Sequence, residues 1–276
     1  MEITPEIFIE SDEYHIAERQ ILGTLLASRL YGIFPDSKYT IDYEIFNNQM
    51  VVQISNCIAL VSSGEVIHIR NKTSFNRELP IDEISVCYVV LSVIANDEKR
   101  TDESALHIVP QYDISFKSTH EPIENGIPVL KIFKRASSWE VDPTYIPPSI
   151  ALSSTPSLMS KYVEIKNVIN RIIHCYAEKD SNYLLIMILQ IDLNSFSAKE
   201  TPETLTQMMK KFCVVFQASL KTVKGIEFLQ SVKKFMDLPY NHSEIGEILD
   251  AGYAGMMEIV KILETEPVPE IEEIKV

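Results

Sequence analysis

The hydrophobic period of the chain changes once, near Pro147-Pro148. Before that pair, apolar and polar positions alternate with period two; after it, apolar residues recur every three or four positions. The first half opens with one amphipathic helix, over about 12–30, with Ile16, Ile21, Leu22, Leu25, Leu26 and Leu30 on its apolar side and Gly32 and Pro35 as its stop. Short strands follow. The pattern predicts them over 39–46, 50–55, 57–61, 65–70, 84–95, 105–116, 127–135 and 138–141, with turns at Asn47-Asn48 and Ser62-Ser63-Gly64. Pro110 inside its strand demands an edge or a bulge. So many short strands with polar turns read as a β-sandwich or barrel.

The second half reads as helices. Ser154 or Thr155 is the expected N-cap, with Pro156 at the first helical position. Leu158, Tyr162, Ile165, Ile169, Ile172 and Tyr176 then recur at spacings of four and three, an a/d seam. Residues 183–193 are apolar nearly all round, which predicts a helix buried on several sides. Thr201-Pro202-Glu203-Thr204 opens a helix carrying Leu205, Met208, Phe212 and Val215 on one stripe; a shorter one runs over 225–238 and stops at Pro239. Ser243 is the expected cap of the last helix, where Ile245, Leu249, Gly252, Met256, Ile259 and Leu263 repeat the seam. The long seams and the helices between them predict an antiparallel bundle. The fold class is therefore α+β: a β-sandwich shell domain with an N-terminal helix over 1–148, a helical bundle over 149–263, and an acidic mobile tail over 264–276.

Charge narrows the partners. The 276 residues carry 25 Lys+Arg against 39 Asp+Glu, a formal net charge of -14, which argues against nucleic acid and anionic membrane surfaces. No glycine falls in GxGxxG or GxxxxGK[ST], so the usual phosphate cradles are absent. The N-terminus is acidic where a signal peptide is basic, and the longest apolar run, 183–189, is far short of a membrane span; a cytoplasmic protein is expected.

Candidate chemistry is sparse. Cys57, Cys87, Cys175 and Cys213 form no CxxC pair and sit in apolar runs, as buried free thiols do. The six histidines, His15, His68, His107, His120, His174 and His242, show no ligand spacing. His174 and Cys175 are helix neighbours pointing about 100° apart, so they cannot share a proton or a metal. Asp42 and Glu44 share one face of a strand and read as solvated sheet surface. Ser149, Ser153 and Ser154 lack the GxSxG elbow, Lys210-Lys211 and Lys233-Lys234 make only a modest basic surface, and the single tryptophan, Trp139, reads as a core plug. No catalytic residue, metal site, cofactor or small-molecule substrate is expected. Two other classes stand beside a structural or interaction protein: a phage tail or receptor-binding component, and an enzyme whose site is built from scattered residues.

One stretch of sequence resembles a known family. Ile127-Pro128-Val129-Leu130-Lys131-Ile132, Val141-Asp142, and Tyr145-Ile146-Pro147-Pro148-Ser149-Ile150-Ala151-Leu152 are similar to the segment joining shell and stalk in TssK, a trimeric baseplate protein of bacterial type VI secretion. Ser149 stands where that family commonly has Cys. Tyr39-Thr40-Ile41-Asp42, Asn48-Gln49-Met50-Val51 and Cys57-Ile58-Ala59-Leu60 resemble its early strands, and Ser62-Ser63-Gly64 takes the place of a frequent Pro-Asp-Gly turn. At the start, 8–14 share little with the family's W-x-x-G … P-Q-H-F-Q box. The resemblance covers about residues 1–262 and implies a shell related to phage receptor-binding proteins, a helical stalk, and a C-terminal head. Here the chain ends just after the expected stalk, which resembles the Bacteroidetes branch of this contractile injection system, with the head absent.

The resemblance implies a cytoplasmic structural component, not an enzyme, that links baseplate wedge proteins (TssF/TssG-like) to the membrane complex. It also implies a homotrimer. Apolar surface beyond what one bundle covers gives an independent reason to expect an oligomer, with Tyr162, Ile165, Ile169, Ile172, Tyr176, Ile245, Leu249, Tyr253 and Met256 as its expected interface. Ile3, Ile7, Phe8 and Ile9, an apolar cluster among glutamates, are the expected wedge-binding residues.

Overall fold

A computed structural model describes residues 14, 15, 18, 22, 23, 30–35, 38–46, 48–80, 84–94, 111–119, 121, 123, 125–136, 138–177, 183–219 and 222–265, with side chains at 176–177, 183–187, 218–219, 222–229, 262 and 265 outside that description. The chain forms two compact units, Met1–Thr155 and Pro156–Val276.

The first unit is built from ten strands among the described residues: β1 (Gly32–Ile33), β2 (Thr40–Phe46), β3 (Gln49–Ser55), β4 (Cys57–Leu60), β5 (Val66–Ile69), β6 (Thr73–Glu78), β7 (Val86–Val93), β8 (Tyr112–Ser118), β9 (Gly126–Arg135) and β10 (Ser138–Val141). They make three antiparallel sheets, ordered β1-β4-β5, β2-β3-β6 and β10-β9-β7-β8. One core joins them: Met50, Val52 and Ile54 from β3, Ala59 and Ile67 from β4 and β5, and Val89, Leu91, Ile127 and Ile132 from β7 and β9. Between β3 and β4, Asn56 takes a left-handed conformation with φ 51, and the chain passes there from one sheet to the next. The β2–β3 hairpin pairs Phe46 with Gln49, with Asn48 at φ 62, as the Asn47-Asn48 turn predicts. β9 carries Pro128 in the interior of a sheet, which costs a ladder hydrogen bond; the β7–β9 register shifts between Val89 and Val90, opposite it. Trp139 is buried in this core, with the Lys134 ammonium 5.9 Å from its ring centroid.

β1 and β6 are absent from the pattern-based reading. β1 is only two residues long, and β6 buries only Phe75 of its six residues, so neither carries a readable period. The strand expected over 105–116 begins at Tyr112; 105–110, Pro110 included, lies outside the described residues. Of the described positions of the expected first helix, Tyr14, His15, Glu18, Leu22 and Gly23 are helical and Leu30 is not, and Leu22 is 62% exposed rather than on the apolar side.

The second unit holds α1 (Pro156–Ala177), α2 (Tyr183–Ser195), α3 (Pro202–Ser219), α4 (Thr222–Asp237) and α5 (Ile245–Thr265). α5 packs on α1 and α4, and α2 on α1 and α3. The seams meet there: Leu158, Ile165, Ile169, Ile172, Ile245, Leu249 and Met256 lie fully buried with Phe212, Phe216 and Phe235. Gly252 is where α5 comes closest to its neighbours, since a Cβ there would lie 2.4 Å from the methyl of Met209 and 3.0 Å from the Phe235 ring. α1 starts at Pro156 as expected, and the Thr201 hydroxyl accepts from the Thr204 N–H at 3.1 Å to cap α3. A single 3-10 turn (His242–Glu244) precedes α5, and Asn241 caps that turn, its side chain accepting the Ser243 N–H at 3.0 Å. Among the described residues, no helix is long and apolar enough to cross a membrane.

Candidate interaction surfaces

The sequence segment that singled itself out, 142–155, is built firmly into the first unit. The Ile33 N–H donates to the Pro148 carbonyl at 2.9 Å, and the Ile150 N–H to the Ile33 carbonyl at 2.9 Å, so 148–150 lie alongside β1 as an added parallel strand. This needs Gly32. Its φ is +132, and a Cβ there would sit 2.5 Å from the Pro148 carbonyl. The prolines lack the donors that a neighbouring strand would otherwise demand. Ile146 and Ser149 are buried; the Ser149 hydroxyl donates to the Pro147 carbonyl at 2.9 Å, and Ser154 accepts from the Ala151 N–H at 3.0 Å. Tyr145 packs on Tyr88 with ring centroids 5.8 Å apart. The boundary between units therefore falls at Thr155/Pro156, not after 148.

The expected oligomer seam has a different fate. Ile165, Ile169, Ile172, Ile245, Leu249 and Met256 have no accessible surface in the single chain, and Tyr162 is 5% exposed with its hydroxyl donating to the Phe196 carbonyl at 3.0 Å. In the single chain these side chains are enclosed by their own helices. Tyr253 is half-buried under the Lys161 ammonium, 5.1 Å from its ring centroid, and Lys161 also bonds Asp250 at 2.9 Å. The Tyr176 side chain and the expected wedge-binding Ile3, Ile7, Phe8 and Ile9 lie outside the described residues.

What the seam does not expose, α2 and α3 do. Ile188 and Ile191 are 55% and 63% exposed, and Val214 is 53% exposed. Residues 183–193 were expected to be buried on several sides; of the described side chains only Leu189 and Leu193 are. The signal for this strip was the apolar run itself, which one bundle cannot enclose on every side. In the first unit, Tyr43 and Phe46 on β2 are 46% and 73% exposed beside solvated Asp42 and Glu44.

Reactive chemistry is not assembled. Burial pushes the thiols of Cys57, Cys87 and Cys213 up to about 12, so they stay protonated and poorly nucleophilic. His174 is exposed and Cys175 half-buried. His68 is an exposed strand residue whose Nε2 accepts from the Arg70 Nε–H at 3.2 Å. Lys210 is turned inward, donating to the carbonyls of Met236 at 3.1 Å and Leu238 at 2.6 Å, and Lys211 pairs with Asp192 at 2.6 Å. This pair is not a free basic surface. Among the described residues, no three metal-ligating side chains gather.

No protein-family model matches the chain, and neither does any curated protein. Solved structures do. The chain is similar to TssK of the EAEC type VI secretion system, solved with a nanobody, at TM-score 0.63 and 13% identity, over 92% of this chain and 69% of that one. It is similar to a chain of the TssK-TssF-TssG baseplate subcomplex at TM-score 0.62 and 14% identity, over 95% and 96% of the two chains. A further crystal structure of TssK matches at TM-score 0.59 and 11% identity, over 94% and 70%. At these identities the likeness establishes a shared fold over 92–95% of this chain.

Proposed function

We propose that this chain is a structural component of a type VI secretion baseplate, a TssK-like adaptor and not a catalyst. One observation carries the reading. The match to the baseplate subcomplex chain spans 95% of this chain and 96% of that one, so both units are matched and not a common β-domain alone. The buried, protonated thiols and the solvated Asp42 and Glu44 support a non-enzymatic role. The partners proposed are wedge proteins like TssF and TssG, the membrane-associated complex, and further copies of this chain in a homotrimer, all on the cytoplasmic side. Co-expression with the wedge proteins tests it: affinity purification should bring down a stoichiometric complex whose native mass contains several copies of this chain. A chain that purifies without either wedge protein overturns the proposal.

A further inference from the structure

We propose that the free edge of β2 takes up, as an added strand, an extended segment of another protein in which aliphatic and basic side chains alternate. β2 is an outer strand of the sheet β2-β3-β6 and is seven residues long. The register tells which of its backbone groups are free. The Leu79 N–H donates to the Asn48 carbonyl at 2.9 Å, so even-numbered residues of β3 turn their backbone groups toward β6 and odd-numbered ones toward β2. Gln49, Val51 and Gln53 therefore bond Phe46, Glu44 and Asp42, which leaves the N–H and C=O groups of Ile41, Tyr43 and Ile45 pointing away from the sheet. Among the described residues no bond reaches those groups. Side chains do not shield them either, since Thr40, Asp42, Tyr43, Glu44 and Phe46 are all exposed. Such an edge is a template for one more strand.

The two faces of β2 select the occupant. Ile41 and Ile45 pack against the core from one face, and Tyr43 between them is 46% exposed. Thr40, Asp42, Glu44 and Phe46 lie on the other face. On an added strand, the residue opposite Tyr43 covers apolar surface, and its two neighbours stand opposite Asp42 and Glu44. Among the described residues, Asp42 meets one cation, Lys72 at 3.8 Å, and Glu44 meets none. Lysine or arginine at those two places gains both carboxylates, and the chain's charge of -14 draws a basic segment in. The same carboxylates turn away a second copy: pairing β2 with β2 antiparallel about Tyr43 sets Asp42 against Glu44 on both sides of it. They equally turn away the glutamate-rich residues 266–276 of this chain. The edge would take such a strand whether or not the chain is a baseplate component.

The test uses the full chain and a fluorescent peptide of alternating valine and lysine, matched to β2 in length. In low salt the peptide should bind by anisotropy, and the same peptide with glutamate for lysine should not. N-methylation at its valines keeps the charge but removes the donors that pair with Tyr43, and should weaken binding by about 10-fold or more. Tyr43→Pro removes an outward donor at an edge position, leaves the β3 ladder intact, and should cost a similar factor of about 10 with the Trp139 melt unchanged. Asp42→Lys with Glu44→Lys should exchange the preference, binding the glutamate peptide and losing the lysine one. Amide exchange at Ile41, Tyr43 and Ile45 should slow when the lysine peptide is added, while Asp42 and Glu44 stay as they were. Three results overturn the proposal: no binding of the lysine peptide at millimolar concentration, binding that survives N-methylation, or Ile41, Tyr43 and Ile45 amides already protected before peptide is added, which gives the edge to a second copy. If Tyr43→Pro unfolds the β unit, the charge exchange and the alternating protection decide. Alternating protection in a chain that brings down no wedge protein keeps the open edge and sinks the baseplate reading; a wedge complex formed by a chain that ignores the peptide does the reverse.

Discussion

The two units treat their open surfaces in opposite ways. In the β unit, two pairs of edge strands are tied together by side chains from the next sheet, although Tyr43 and Phe46 on β2 stay exposed. The Tyr112 hydroxyl on β8 accepts the His68 N–H of β5 at 3.0 Å, and Arg77 of β6 donates to the Ile114 carbonyl of β8 at 3.3 Å while its guanidinium pairs with Asp113. Unpaired backbone that invites another strand is thereby occupied. The helical unit has no backbone edges to protect, since each helix satisfies its own ladder. What it leaves open is apolar side-chain surface, Ile188, Ile191 and Val214. Edge strands tied to one another are suited to holding a fixed shape. A unit with an aliphatic strip is suited to association.

The largest effect that would separate the units is a charge in the buried seam. Ile169 and Ile172 are fully buried in the helical unit, so Ile169→Glu with Ile172→Glu should cost more than about 5 kcal/mol and unfold that unit. Trp139, the only tryptophan, sits in the β core and reports on the other half. The expected outcome is loss of helical circular dichroism with native Trp139 fluorescence; simultaneous loss of both would show that the units fold as one. The converse variant is Gly32→Val. With φ at +132 and Pro148 backbone 2.5 Å from the added Cβ, it should destabilise the β unit by about 3 kcal/mol or more. Tryptophan emission should then red-shift at lower denaturant, while the helical signal keeps its own midpoint.

The contrast was unevenly legible in the amino-acid order. Strands with one wet face, such as β3 with Met50, Val52 and Ile54 buried, announce themselves by alternation, and the α1 and α5 seams do so by their three-four spacing. Polar edge strands such as β6 do not, because their stability comes from backbone pairing that leaves no side-chain period. The seam residues are apolar as read, and in the single chain their own helices cover them. Periodicity tells which face of a helix is covered, not whether the cover comes from the same chain or another. The surface strip was hidden for the opposite reason: a helix that is apolar all round has no face to read, and only packing against α1 and α3 decides which residues stay outside.

A smaller effect sharpens the comparison through pH. The thiols of Cys57 and Cys87 in the β unit and Cys213 in the helical unit are raised by burial from 9.0 to about 12, and burial likewise raises the Tyr39 hydroxyl. The native state therefore keeps protons that the unfolded chain releases. This stability is complete below pH 9.0 and is lost as pH rises toward about 12 for Cys57 and Cys213. With two such thiols and Tyr39, the β unit should lose stability with rising pH more steeply than the helical unit. Denaturation followed in parallel by Trp139 fluorescence and helical circular dichroism between these limits checks it, and Cys57→Ala should flatten the fluorescence trend. Equal slopes for the two probes would contradict the assignment.

The smallest effect is expected where the ion pairing looks best. Arg171 of α1 reaches Glu264 of α5 through two bonds, Nε to Oε1 at 2.8 Å and Nη2 to Oε2 at 2.9 Å. Fork geometry of this kind favours a strong pair, but the side chains are 51% and 41% exposed, and water and salt screen them. The same two helices are already joined by Ile165, Ile169 and Leu249, which are fully enclosed. Packing, not charge, then holds α1 to α5. Arg171→Met should lower the helical unit's stability by less than about 1 kcal/mol, and the difference should shrink in high salt. A loss above about 2 kcal/mol that persists in salt would mean that the α1–α5 contact depends on its charged rim, and the division between a seam for folding and a strip for association would have to be redrawn.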